Sequence, residues 1–210
     1  VNCKGFISIG SYEEYGKLTP ELDEDLICNP DSKLGKIKYS LYLLTKEICR
    51  SLNIKHIHIR LGIPYSNKKN QGFYFNNIIN NLSRGDKVIL DNIFNVKDFV
   101  HTSDIARGII SLIENDCEGL YNLSFGKGIE IKSVLNMIYE KLNKKFYYKE
   151  KSEFSKNISF NLKIDKIYEH TNWKPTISIW DGISLLIQEN KFKNEPNLQE
   201  FTNRIRSLYN

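Results

Sequence analysis

Two strand-like runs flank one long helical run in the first third of the chain, and this order restricts the fold more than any other feature. Residues 5–11 (GFISIGS) are mostly apolar and run straight into a polar turn, as a buried strand does. Residues 54–61 (IKHIHIRL) alternate apolar and polar, which places His56, His58 and Arg60 on one face of a second strand. Between them, Asn29-Pro30-Asp31-Ser32 supplies the proline and short polar caps that open helices. Leu34, Ile37, Leu41, Leu44 and Ile48 then recur at helical spacing, so a helix is expected over 31–52.

The alternation continues downstream. Residues 12–29 read as a polar loop with a turn at Thr19-Pro20, 62–72 as a loop, 73–83 as a helix and 86–91 as a short strand. Thr102-Ser103-Asp104 precedes Ile105, Ile109, Ile110 and Ile113, the pattern of a capped amphipathic helix. A strand over 119–123, a helix over 131–142 and a strand over 146–149 follow. Helices near 164–171 and 178–190 flank the Pro175 turn, and the tail, about 195–208, is expected to form a peripheral helix. Alternating strands and helices imply an α/β fold, a parallel sheet with helices on both faces. Ligands in such sheets sit at the carboxyl ends of the strands, here the loops after residues 10 and 60.

Composition excludes several classes. With 210 residues, 40% hydrophobic and 26% charged, the chain can bury a substantial core. No run approaches the roughly 18 to 20 apolar residues of a membrane span, and the first residues lack the pattern of a signal peptide, so a cytoplasmic location is expected. The net charge of +5 arises from lysines scattered among acids and matches no nucleic-acid module. The four cysteines, Cys3, Cys28, Cys49 and Cys117, form no CxxC pair, so reduced thiols are expected. His56 and His58 form an HxH pair, but no third ligand stands nearby; a polar strand face is expected, and no metal site.

At the two loops singled out above, the sequence resembles the extended short-chain dehydrogenase/reductases of the nucleotide-sugar epimerase/dehydratase family. The resemblance covers the chain to about residue 190 and rests on five ordered blocks. Phe6–Gly16 (FISIGSYEEYG) is similar to that family's strand ending in Ser or Thr, followed four residues later by Tyr-Gly. Asn29–Lys38 (NPDSKLGKIK) resembles the stretch in which a proline leads into Tyr-x-x-x-Lys, with Lys38 at the lysine and Leu34 at the tyrosine. Val96–Ala106 (VKDFVHTSDIA), Gly119–Gly126 (GLYNLSFG) and Asn172–Pro175 (NWKP) resemble three further blocks in order. Residues 60–66 (RLGIPYS) match the family's Arg-x-x-Asn-x-Tyr-Gly loop only at Arg60 and Tyr65, with Ile63 where asparagine is common.

The resemblance implies the carboxyl-terminal portion of a Rossmann-type parallel sheet plus a small α/β substrate-binding lobe. Residues 1–66 would be the remainder of the Rossmann-type domain and 67–192 the lobe, with about 93–116 returning to the first domain and 193–210 as tail. It implies an NAD- or NADP-linked reaction on a nucleotide-activated sugar, initiated by oxidation at C4. The expected catalytic residues are Ser11, Glu13 and Lys38, with Lys38 also facing the cofactor and Lys97 the substrate diphosphate. The plain alternative for Glu13, beside Glu14, is a solvated loop acid. The tyrosine is the general base in that chemistry, and losing such a base costs about a hundred- to ten-thousand-fold in rate. Tyr42, four residues before Lys46, is the alternative tyrosine; a packed core aromatic is its plain reading. No stretch resembles the family's Gly-x-x-Gly-x-x-Gly cofactor turn, which suggests a truncated reading frame. Family members often dimerise through the helix carrying Tyr-x-x-x-Lys, here residues 31–52. The stripe of Leu41, Leu44 and Ile48 could serve a core or a partner. A catalytically inactive sugar-nucleotide-binding or scaffolding protein is the alternative function.

Overall fold

The computed structural model describes residues 3–16, 19–66, 74–86, 88–90, 92–145, 149–150 and 159–192. Its centre is a parallel sheet of β1 (Gly5–Ser11), β3 (Lys55–Leu61) and β8 (Gly119–Leu123), in the order β1-β3-β8. Gly5 pairs with Lys55 and Ser11 with Leu61; Ile57 pairs with Gly119 and Leu61 with Leu123. Helix α1 (Lys33–Ser51) connects β1 to β3. Its start is capped by Ser32, whose hydroxyl accepts the Gly35 N–H at 2.9 Å. Its end turns at Asn53, a left-handed residue with φ 52°.

The period of two along these strands sorts the side chains onto two unlike faces. Ile7, Ile9, Ile57, Ile59, Tyr121 and Leu123 form one apolar face. It is covered by α3 (Thr102–Glu114) and α5 (Asp165–Thr171), through residues such as Leu112, Ile105, Ile109, Ile167 and the nearby Trp173. The other face carries Ser8, His56, His58, Arg60 and Asn122, all buried, with Thr45 of α1 also buried there. Parallel strands covered on both sides are normally apolar throughout. Here the alternation survives because the second face is a polar network rather than a solvated surface.

The lobe packs α2 (Tyr74–Arg84), α4 (Ile131–Lys141) and α6 (Ile179–Phe192) around one apolar cluster that includes Phe75, Ile79, Leu135, Ile138 and Ile183. Short pairings connect it to the rest. β2 (Glu21–Leu22) pairs with β11 (Asn161–Leu162), β4 (Ile63–Tyr65) with β7 (Phe99–His101), and β5 (Ile89–Leu90) with β10 (Lys149–Glu150), all parallel. β6 (Val96–Lys97) pairs antiparallel with β9 (Ile129–Glu130).

Several expectations are corrected. The stretch 62–72, read as loop, begins with strand β4, and the loop 12–29 contains β2 and a one-turn 3-10 helix, Tyr12–Tyr15. These short pieces are held by distant partners, so local sequence carries little trace of them. The cap of α3 is His101, whose ring accepts the Ser103 N–H at 3.2 Å. Asp104 lies inside the first turn and instead accepts the N–H groups of Thr176 and Ile177 at 2.9 and 3.0 Å. In the same helix Ile110 and Ile113 are exposed, while Ile105 and Ile109 pack. Most of the expected strand 146–149, and the tail helix at 195–208, lie outside the described residues.

The stripe along α1 runs opposite to a core role. Leu34, Ile37, Leu41, Leu44 and Ile48 are exposed, by 39 to 65%. The face turned to the sheet carries Gly35, Thr45 and Cys49. A helix lying on a polar sheet face turns its polar and small residues inward, which reverses the usual amphipathic rule.

Candidate functional site

The carboxyl end of β1 brings three of the residues singled out above together. Ser11 ends the strand and caps the 3-10 turn, its hydroxyl accepting the Glu13 N–H at 3.2 Å. The half-buried Glu13 carboxylate accepts the Ser32 hydroxyl, so the turn is tied to the start of α1. One turn into the helix, Lys38 donates from Nζ to the Ile9 carbonyl at 2.8 Å. Gly35 permits this closeness, because a Cβ there would overlap the Glu13 carbonyl. Leu34 sits in the first turn, four residues before Lys38 and 46% exposed. The plain alternative for Glu13, a freely solvated acid, does not describe this half-buried, hydrogen-bonded group.

Among the described residues, Tyr12, Tyr15 and Tyr42, the tyrosines closest in sequence to Ser11 and Lys38 apart from Tyr39, are each engaged elsewhere. The Tyr12 ring stacks on Phe160 at 4.3 Å, and burial, with the charge of Glu13, pushes its hydroxyl up to about 12. Tyr15 donates its hydroxyl to Asn122 at 2.7 Å and is pushed up by burial. The Tyr42 ring lies 4.4 Å from that of His58 and lines a cavity of about 790 Å³ with Lys46, His56 and Cys49, at the amino end of the strands. Ser11 lies at the opposite end.

Strand β6 reaches the same end of the sheet through Phe160. Phe160 donates its N–H to Val96 at 3.0 Å, and the Phe160 ring stacks on Tyr12, next to Ser11. Lys97 follows Val96 and lies over the Tyr74 ring at 5.8 Å. Asp98 is fully buried and gathers the N–H groups of Phe125, Gly126 and Leu162 at 3.2, 3.1 and 3.0 Å. Burial outweighs these bonds and pushes its carboxyl up to about 6. Tyr65 is an internal tie, donating to the Ser178 carbonyl at 3.1 Å.

Sequence reasoning passed over Glu14. It is wholly buried beneath Ser11, bonded to His58 and Arg60, and it accepts the Ser11 N–H at 2.9 Å. The signal was present as Ser11-x-x-Glu14, a capping box. Among the described residues, no group of three His, Cys, Asp or Glu side chains is arranged to hold a metal, and no helix is long and apolar enough to cross a membrane.

The sequence model of the GDP-mannose 4,6 dehydratase family matches residues 1–186. The chain belongs to that family. A dTDP-4-dehydro-6-deoxyglucose reductase of Escherichia coli is 27% identical over 188 residues, 85% of this chain and 58% of the relative. Two solved structures share the fold at 19% identity. A UDP-glucose 4-epimerase of Thermotoga maritima, solved with UDP-glucose, superposes with a TM-score of 0.81 over 92% of this chain and 65% of its own. A dTDP-glucose 4,6-dehydratase of Bacillus anthracis, solved with NAD, gives 0.80 over 91% and 62%. This GDP-mannose 4,6 dehydratase family member thus spans 58 to 65% of the length of these relatives. The resemblance read from the five sequence blocks agrees with this membership, and the parallel sheet agrees with the expected α/β, Rossmann-type fold.

Proposed function

We propose that this chain carries the sugar-facing part of an NAD- or NADP-dependent enzyme acting on a nucleotide-activated sugar, with Leu34 at the position of the family's tyrosine base. The observation that supports it is the gathering of Ser11, Glu13 and Lys38 at the carboxyl end of β1. In this reading the Ser11 hydroxyl holds the reacting sugar oxygen, Lys97 attracts the diphosphate as a point charge, and Glu13 stands beside the ring.

The residues present fit the nicotinamide end of the cofactor. An ammonium has three donors, and Lys38 gives one to Ile9, leaving two to address ribose hydroxyls. The sequence has no glycine-rich turn of the kind that holds the cofactor's diphosphate. When bound, the nicotinamide supplies the hydride acceptor. Leu34 has no proton to exchange, so oxidation at C4 lacks its ordinary base in this chain and runs about a hundred- to ten-thousand-fold slower.

That same Leu34 supports a second reading, a catalytically inactive member that binds a sugar nucleotide or acts as a scaffold. In either, we propose a homodimer in which a second copy covers Ile37, Leu41, Leu44 and Ile48, whose spacing of four, three and four forms a continuous seam. The free thiols suit work in the cytoplasm.

The test is calorimetric titration of the purified protein with UDP-glucose, GDP-mannose and dTDP-glucose, followed by turnover assays of Leu34→Tyr in protein shown by fluorescence to hold NAD or NADP. Binding of one sugar nucleotide and a gain of about 100-fold in turnover are expected. No binding of any sugar nucleotide sinks the reading. Binding without turnover in Leu34→Tyr favours the inactive member.

A further inference from the structure

We propose that Glu14 is a positioning residue for Ser11, its buried carboxylate fixing the main chain on which the Ser11 hydroxyl is presented. The proposal rests on the reading of Ser11 as the sugar-facing hydroxyl.

A carboxylate with no exposure is strongly disfavoured unless it is paired and hydrogen-bonded, and Glu14 is surrounded by donors. Oε1 accepts the Ser11 N–H at 2.9 Å, Arg60 donates from Nε to Oε2 at 3.0 Å, and His58 Nε2 stands 3.1 Å from both oxygens. A carboxylate only accepts, so His58 carries a proton on Nε2. Burial pushes the Glu14 carboxyl up, but the bond and charge of His58, the Ser11 N–H and Arg60 more than reverse this and hold it below the usual range. The group is therefore an ionised anchor.

Ser11 is gripped twice. Its N–H is bound by Glu14, and its hydroxyl accepts the Glu13 N–H, so both strand end and side chain are fixed before any ligand arrives. The anchor is itself braced. His58 Nδ1 lies 2.6 Å from the Ser8 hydroxyl, which lies 2.8 Å from His56 Nε2, and that nitrogen lies 3.2 Å from Thr45 Oγ1 of α1. Gly10 makes the room, since a Cβ there would overlap both Glu14 Oε1 and His58 Nε2. Groups set in place by packing and hydrogen bonds beforehand do not have to be ordered by the ligand. Glu14 does this for Ser11 without touching the sugar.

The experiment compares binding of UDP-glucose, GDP-mannose and dTDP-glucose to the wild-type chain, Ser11→Ala, Glu14→Met/Arg60→Met and the triple variant. The paired change removes both charges at similar volume, so that neither is left buried without its partner. Ser11→Ala and the paired variant are each expected to weaken the tightest ligand by about 10-fold, the worth of one good hydrogen bond. The triple variant is expected to be no weaker, because both changes remove the same contact. A merely structural loss would instead add to that of Ser11→Ala and would overturn the proposal. A paired variant that binds as wild type while Ser11→Ala does not overturns the proposal and leaves the reading of Ser11 standing. Wild-type binding by Ser11→Ala, or no binding by the unaltered chain, overturns both. If the paired variant does not fold, the Ser11 amide proton in Glu14→Gln decides. An upfield shift on loss of the carboxylate supports the anchor, and an unchanged resonance overturns it.

Discussion

Replacing Asp98 by alanine tests the joint between the lobe and the central sheet. Three backbone N–H groups, from Phe125, Gly126 and Leu162, point at one carboxylate that has no solvent exposure. A buried donor left without a partner costs about 1–3 kcal/mol. Local relaxation lets part of this be recovered, so the lower half of the range applies, and Asp98→Ala is expected to lose about 4 kcal/mol at pH 7. The pH dependence gives an independent check. The folded carboxyl titrates near 6 rather than at its ordinary 3.8, so the folded chain takes up this proton before the unfolded chain does. This contribution is complete below the ordinary value and is lost as pH rises through 6. Between pH 7 and pH 5 the wild-type chain therefore gains about 1 kcal/mol that the alanine variant does not. Urea unfolding followed by circular dichroism at both pH values measures each quantity. A loss below about 1 kcal/mol at pH 7, or a difference that shrinks toward pH 5, would refute the reasoning.

Gly35→Ala reverses an ordinary rule. In a helix interior this change usually stabilises by about 1 kcal/mol, but here the added methyl meets the Glu13 carbonyl, and a loss of about 1–3 kcal/mol in chemical denaturation is expected. Leu41→Glu with Leu44→Glu should leave the unfolding free energy of the isolated chain within about 0.5 kcal/mol per site, because both side chains are exposed. The same pair should convert a dimer to a monomer in sedimentation velocity; an unchanged sedimentation coefficient counts against the proposed homodimer.

The legible parts of this molecule are those whose signal is local. Ile7 and Ile9 announce β1, alternation announces β3, and Ser32 behind Pro30 announces the start of α1. Periodicity could not say which way α1 faces. Its apolar stripe looked equally suited to a core or a partner, and only the polar face of β1 and β3 decides that the stripe turns away. The two-residue strands β2, β6 and β9 exist because distant segments meet them, so no window of sequence carries them. Ser11, Glu13 and Lys38 were singled out through the family resemblance, and the structure brings them to one end of β1. Glu14 was not, because an acid within a polar run looks solvated until His58 and Arg60, more than forty residues later, are brought over it.

The polar floor beneath α1 has a mechanical consequence. A helix resting on aliphatic side chains can slide or roll by small steps at modest cost, since dispersion contacts are interchangeable. The Thr45–His56–Ser8–His58–Glu14 chain offers no such intermediate settings, because a small displacement breaks directional bonds between buried groups, where a lost partner is expensive. Helix α1 is thus keyed to the strands like a bit in a lock. Leu34 and Lys38 are carried by that key, so their separation from Ser11 is a fixed dimension of the molecule rather than an adjustable one.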